Sequence, residues 1–392
     1  MAGVDHTEDA LSALTLPASE RVTILHTIQA GGPGGAETLM LTLAKGLNSA
    51  RFRSVALCPD GSWLPAQLKE AGIPVRLASS PHWYDLEVPW EMARLVRQEN
   101  VGLIHAHLPG QNFYASVVGT LLRRPVVVTY HGEIELQNGW KQALQLSTVR
   151  TAASAFVVVS DQMRSVLESA GFSRDRLVRI YNGIDATRFS SAATGSLRKE
   201  LDLAPDQPLV GMIANIRPPK GHDNFIRAAR LVADRFPAAR FVVAGDHMDG
   251  LSERLRALVA ELNLLDRFVF LGFRSDVPAI LRDLDVFVLP SLSEGLPFVA
   301  LEAMGAGKPS VMTRCGGPEE LVDDGVNGYL VPVSDPLALA EKIGLLLSDP
   351  ERAQAMGKAA QETVWRDFSR DVMMRQYTKL YERLLRGQSP GD

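Results

Sequence analysis

Short apolar runs alternate with helix-length segments along this chain, the alternation breaks once, and then it starts again. The runs 22–28, 53–58, 102–107, 126–131 and 156–160 are strand-sized and apolar through most of their length. Between them lie helical patterns. Residues 36–48 place Leu39, Leu43 and Leu47 at steps of four, and further patterns cover 63–71, 111–122, 139–151 and 161–170. Strands that are apolar on both sides, and do not alternate, fit a parallel sheet covered by helices on both faces. The break falls at Tyr181–Asp185 and the polar stretch Ser190–Ser196. The rhythm resumes with strand runs at 209–215, 240–245, 267–270, 285–289 and 309–312 and closes on helical segments 336–347, 351–365 and 369–386. The expectation is two doubly wound α/β domains joined near 182–196. Ligands of such sheets sit at the carboxyl ends of the strands, and with two sheets the cleft between them is the expected site.

Composition narrows the function classes. A length of 392 residues suits two or three domains, and 46% hydrophobic with 22% charged residues gives ample core. A net charge of −4 and a pI near 6.1 argue against a dedicated nucleic-acid binder. Cys58 and Cys315 are too few for a disulfide framework or a zinc cage, and read as buried free thiols. No apolar run approaches the roughly 18 residues that span a bilayer. Asp5, Glu8 and Asp9 stand where a signal peptide needs positive charge. The expectation is a cytoplasmic protein with a loose tail over residues 1–20 and, at most, peripheral membrane contact.

Three strand-to-helix junctions carry the chemistry. The first, Gly31-Gly32-Pro33-Gly34-Gly35-Ala36-Glu37, follows the first strand and opens the first helix. Glycines let the backbone approach a ligand, and a helix start offers unpaired N–H groups and partial positive charge, so this is an anion site or else only a tight turn. It is neither a dinucleotide fingerprint nor a Walker loop. The second, Arg217-Pro218-Pro219-Lys220-Gly221, puts two cations after the first strand of the second half. A departing diphosphate needs such neutralisation, although two loop cations are also ordinary surface groups. The third runs from Ser293 to Glu302. Glu294 sits at a strand exit and Glu302 two helical turns on, so both carboxylates can share a face. Gly295 lies between them, and the helix start at Phe298 and Val299 offers free N–H groups.

Histidines mark the strand ends of the first half. His105 and His107 share a strand face, but no third ligand stands at a metal-site spacing, so no metal is expected. His131, before Gly132, is the better polar site residue, and His26 reads as a packed strand histidine. Asp283 and Asp285 form a bare Asp-x-Asp pattern that leads into a strand, and reads as helix-end and strand-start polarity.

Taken together, the glycine loop, Tyr130-His131-Gly132, Asn182-Gly183-Ile184-Asp185 with Phe189, the Arg217–Gly221 loop, and Glu294 with seven residues before Glu302 resemble the retaining GT-B glycosyltransferases of family 4. The segments 302–309 and 316–331 add to the match, and the resemblance runs from about residue 22 to 385. It implies a GT-B fold of two Rossmann-like domains facing a cleft. The domains would be an acceptor-binding one over 21–189 and a nucleotide-sugar-binding one over 190–368, with a final helix in 369–392 crossing back onto the first. It also implies roles. Glu302 would hold the ribose, and Glu294 would face the donor sugar. Arg217 and Lys220 would grip the diphosphate, with Gly34 and Gly35 contributing from the other domain. Phe298, Val299 and Gly295 would meet phosphate or sugar oxygens, Phe273 would border the base, and His131 would touch the transferred sugar.

The implied activity is transfer of a hexosyl or N-acetylhexosaminyl group from a nucleotide-diphosphate sugar, UDP-linked by preference, to a hydroxyl of a glycan, a lipid-linked glycan or a small molecule. It would need no cofactor, no metal and no nucleic acid. A nucleotide-sugar epimerase or a phosphorylase on the same fold is the alternative. A dehydrogenase is disfavoured because the glycine spacing is wrong and no acidic ribose residue follows about 20 positions on. A non-catalytic sugar-nucleotide sensor would bind without turnover. Trp83, Tyr84, Trp90 and the helix from Trp140 to Arg150 could form an acceptor- or membrane-facing surface, but ordinary packing is the expectation for them.

Overall fold

A computed structural model describes residues 21–47, 51–60, 63–79, 86–132, 140–190 and 194–391. The expected tail of residues 1–20 and the Trp83-Tyr84 pair lie outside these. Two compact units divide the chain.

The first unit holds a seven-stranded sheet of β1 (Val22–Ile28), β2 (Phe52–Cys58), β3 (Val75–Leu77), β4 (Val101–His107), β5 (Val126–Tyr130), β6 (Ala155–Val158) and β7 (Leu177–Arg179). Their order is β3-β2-β1-β4-β5-β6-β7, with every pairing parallel. The chain runs outward from β1 to β3 and returns to the other side of β1 at β4. The switch point, where a ligand crevice opens, therefore lies between the ends of β1 and β4. The second unit repeats the design with six strands: β8 (Leu209–Ile213), β9 (Arg240–Ala244), β10 (Phe268–Gly272), β11 (Val286–Leu289), β12 (Ser310–Thr313) and β13 (Tyr329–Val331). Their order is β10-β9-β8-β11-β12-β13, so its switch point lies between β8 and β11. The central strands are buried on both faces, which is why their sequences are apolar throughout. One face of the second sheet rests on a core in which Phe225 packs against Phe268 and Phe241.

The units do not divide the chain where its sequence suggests. The second begins at Ile180, ten residues before the expected 190, and also takes in Val159–Ser165. That segment is tied there because the Glu320 carboxylate accepts from the main-chain N–H groups of Asp161 and Gln162 at 2.9 and 3.1 Å. The helix Arg370–Leu385 begins in the second unit, and from Met374 onward its residues belong to the first. Met373, Tyr377, Leu380, Tyr381 and Leu384, spaced by three and four along the helix, are buried, and Val372 is half-buried.

Two expectations about side chains part company. Cys58 and Cys315 are buried free thiols. Trp90 and Trp140 are 72% and 68% exposed, against the expected burial, with Leu86 and Leu144 exposed beside them in sequence. The helix Glu87–Gln98 buries Val88, Met92, Leu95 and Val96 without needing Trp90, whereas Trp140–Ala152 buries only Val149. No helix among the described residues is long and apolar enough to cross a membrane.

Candidate active site

In the second unit the loops after β8 and β11 lie together. Gly221 adopts a left-handed backbone (φ 67°), and a Cβ there would overlap the Pro290 carbonyl oxygen, so only glycine permits the approach. Leu292 N–H donates to Pro219 O at 2.7 Å and joins the loops. Lys220 Nζ thereby reaches Glu294 Oε1 at 2.7 Å, and Ser291 Oγ donates to the same oxygen at 2.7 Å. The Glu294 side chain is only 9% exposed. Its main chain is fixed by bonds from Glu294 N–H to Cys315 O (3.0 Å) and from Gly317 N–H to Glu294 O (3.1 Å). Arg217 is exposed, its guanidinium has no partner among the described residues, and it lines a pocket of about 460 Å³ with Asp246 and His247.

The helix Phe298–Gly305 follows, with Pro297 as its cap and no side chain closing its first turn. The N–H groups of Phe298 and Val299 therefore have no intrahelical acceptor. Glu302 lies one turn further and is half-buried. Burial pushes its carboxyl up to about 7, partly offset by the nearby Arg188 guanidinium. At the exit of β10, Phe273 is 52% exposed. Arg274 beside it is spent on a fork to Asp276 (2.8 and 2.7 Å) and on Glu200 (2.8 and 2.9 Å).

The Asp-x-Asp pattern is occupied by structure. Asp283 accepts from the main-chain N–H groups of Gly195, Leu197 and Arg198, capping the helix Ser196–Glu200. Asp285 takes Arg198 Nη2 and Leu209 N–H, each at 2.7 Å.

In the first unit, Gly34 caps the helix Gly35–Gly46 with extended backbone and no side chain, and the Glu37 carboxylate lies against it. Beneath the neighbouring strand ends is a cluster of imidazoles. Parallel pairing sets His26 of β1 opposite His105 of β4, and His107 opposite Thr129 of β5. His105 is bonded at Nδ1 to the Tyr381 hydroxyl and at Nε2 to Thr129 Oγ1 (2.7 Å). His107 Nδ1 meets His131 Nε2 at 3.0 Å. Burial holds His26 and His131 down to about 3, and His105 and His107 well below the usual histidine range.

This geometry corrects one premise of the sequence reading. A third histidine does stand by His105 and His107: donor atoms of His26, His105 and His107 lie within 4.8 Å of one another. Sequence spacing hides it, because His26 comes from a different strand 79 positions earlier. The donor set still suits a metal poorly, since both nitrogens of His105 are already bonded. Sequence reasoning also missed Ser291, Arg188 and the His107–His131 contact, none of which has a spacing signal.

Comparison with known proteins gives the family. A family profile described as Glycosyltransferase Family 4 matches residues 33–188, and one described as Glycosyl transferases group 1 matches 194–363. The chain belongs to the group 1, family 4 glycosyltransferases. It is 28% identical over 320 residues to an N-acetyl-alpha-D-glucosaminyl L-malate synthase of Bacillus anthracis, covering 79% of this chain and 81% of that one. It is 27% identical to a Campylobacter jejuni N,N'-diacetylbacillosaminyl-diphospho-undecaprenol alpha-1,3-N-acetylgalactosaminyltransferase, covering 75% and 80%. The fold is that of Anabaena HepE, solved with UDP-glucose: TM-score 0.82, 24% identity, 92% of this chain and 99% of that one. This is the GT-B fold, and the glycosyltransferase is an enzyme of the hexosyl-transferring kind.

Proposed function

We propose that this glycosyltransferase is retaining and metal-independent, and moves a hexosyl or N-acetylhexosaminyl group from a UDP-linked sugar to a hydroxyl of a lipid-linked glycan in bacterial glycoconjugate synthesis. The observation that carries the reading is the set on the β8 and β11 loops: Arg217, Lys220 and Glu294, followed by the open helix start at Phe298 and by Glu302. Cations and helix N–H groups in one place suit a diphosphate, and a carboxylate one turn on suits a ribose diol. The UDP-glucose complex of a neighbour and the undecaprenol-linked acceptor in a relative's name support the donor and acceptor classes.

In this mechanism the bond from the sugar's anomeric carbon to the diphosphate oxygen breaks while the acceptor oxygen bonds to that carbon from the same face. The acceptor proton passes to the departing phosphate. Arg217 and Lys220 stabilise the growing negative charge, and Phe298 and Val299 N–H groups add to them. Glu294 orders Lys220 and faces the sugar. Gly34 and Gly35 offer N–H groups from the first unit, Gly295 leaves room for sugar oxygens, Phe273 borders the base, and His131 touches the sugar. Exposed Trp90, Trp140 and Leu144 support peripheral contact of the first unit with a membrane.

The test is incubation of the full chain with UDP-hexoses and UDP-N-acetylhexosamines, with and without a lipid-linked glycan. The expected product is a glycosylated acceptor that keeps the donor's anomeric configuration by NMR. Inverted product, or donor isomerised without acceptor, would refute the reading.

A further inference from the structure

His107 and His131 share one hydrogen bond between two neutral rings, 3.0 Å from Nδ1 to Nε2. Such a bond needs one proton, and there are two ways to place it. If His131 Nε2–H donates, His107 must carry its own proton on Nε2. That atom is fully buried and has no partner among the described residues. If His107 Nδ1–H donates, its Nε2 is a bare lone pair and His131 carries its proton on Nδ1. Buried N–H groups without acceptors are rarer than under-satisfied acceptors, because an unpaired donor forfeits its whole hydration. The surroundings of His107 offer no escape. Its ring lies tilted against His105 at 4.2 Å between centroids, and His105 has both nitrogens engaged, by Tyr381 and Thr129.

We infer that His107 is a positioning residue which donates from Nδ1 to His131 and fixes His131 as the neutral Nδ1–H tautomer. His131 then offers the substrate a hydrogen-bond donor at Nδ1 and no basic nitrogen, since its Nε2 lone pair is taken. Among the described residues the titratable groups nearest His107 are His105 and His26, with Tyr377 and Tyr381 beyond them against the His105 ring, and none of these brings a negative charge that would favour an imidazolium. His131 therefore works as a fixed dipole toward a sugar oxygen and takes no part as acid or base. This rests on the proposal that His131 touches the transferred sugar.

The experiment uses the full chain labelled with ¹⁵N-histidine and long-range ¹H–¹⁵N correlation, with His131 assigned by its loss in His131→Ala. The expected wild-type spectrum shows His131 protonated at Nδ1. An Nε2–H His131 overturns the inference, and this reading needs no variant to fold. Two variants extend it. The amide nitrogen of His107→Asn stands near the position of Nδ1 and can donate, whereas His107→Leu cannot. His107→Leu should lower kcat about 10- to 100-fold, as lost orienting partners do, with nucleoside diphosphate affinity unchanged. His107→Asn should restore kcat to within about threefold of wild type. Equal losses in the two folded variants would show that shape matters and donation does not, and would overturn the inference. If His131 is Nδ1–H, loses that form in His107→Leu, yet His131→Ala turns over normally, the tautomer assignment stands and the sugar contact of His131 falls.

Discussion

Lys220 Nζ and Glu294 Oε1 are 2.7 Å apart, joining the first and fourth strands of the second unit at their carboxyl ends. The cation assigned to the diphosphate is thus already partnered without substrate, whereas Arg217 is not.

The two cations should separate on mutation. Arg217→Ala is expected to lower kcat on the order of 10²–10³, with the melting temperature unchanged. Lys220→Ala should lower kcat similarly and also cost about 1–3 kcal/mol of stability, because Glu294 is left buried without its counter-ion, with Ser291 alone donating to it. Pairing Lys220→Ala with Glu294→Ala should regain melting temperature but not kcat. Kinetics and calorimetry on the three proteins check this. An Arg217→Ala enzyme with raised KM and intact kcat would show uniform binding only.

Glu302 gives a pH dependence of definite sign. Its folded carboxyl titrates near 7 against 4.5 for the free group, so the folded state holds the proton more tightly. Unliganded stability is therefore full below 4.5 and falls as pH rises toward 7, by about 2 kcal/mol. Glu302→Gln should melt higher than wild type at pH 8 and alike at pH 4.5. Nucleoside diphosphate affinity should rise from pH 6 to 8 in wild type beyond the rise in Glu302→Gln, since only the ionised carboxylate accepts two ribose hydroxyls. Glu302→Ala should lose roughly 10- to 100-fold in that affinity. Titration calorimetry across pH decides it, and an unchanged affinity in Glu302→Ala removes the ribose assignment.

Turnover should persist in excess chelator. Asp283 and Asp285 are committed to main-chain N–H groups and Arg198, and His105 to Tyr381 and Thr129. Activity that disappears with chelator and returns with manganese or magnesium would show that one of these sets rearranges.

The last helix should stabilise the first unit. Tyr381→Phe removes the hydroxyl bonded to His105 and should cost about 1 kcal/mol. Truncation before Ser369 removes Tyr377 and Tyr381, both fully buried, and should lower the melting transition of the first unit as well as the second. Hydrogen exchange over β1, β4 and β5 reports this, and unchanged protection in the truncated form would count against it.

The double sheet was legible because its strands are apolar on both faces, a pattern that a parallel sheet under two helix layers imposes. β3, β7 and β13 were not, because edge strands of three residues leave no run to detect. The Arg217–Gly221 and Ser293–Glu302 junctions could be read because backbone demands there select glycine and proline. The His107–His131 bond and the place of His26 could not. They arise from register between strands, and nothing in the order of residues along one strand encodes its neighbour. The exposure of Trp90 and Trp140 was hidden for the opposite reason, since aromatic residues at helical spacing read as core.

Order of synthesis acquires a meaning from the split helix. The first unit draws on residues from Met374 onward, which leave the ribosome only after all of Ile180–Met373. At about 5–20 residues per second that is a wait on the order of 10–40 s, during which β1, β4 and β5 lack Tyr377 and Tyr381 and His105 lacks its hydroxyl partner. An interrupted chain therefore carries a first unit that has not closed over its own histidines. The contacts of Tyr377 and Tyr381 with the first sheet are therefore among the last the chain can make, formed only after every residue of the second unit has been synthesised.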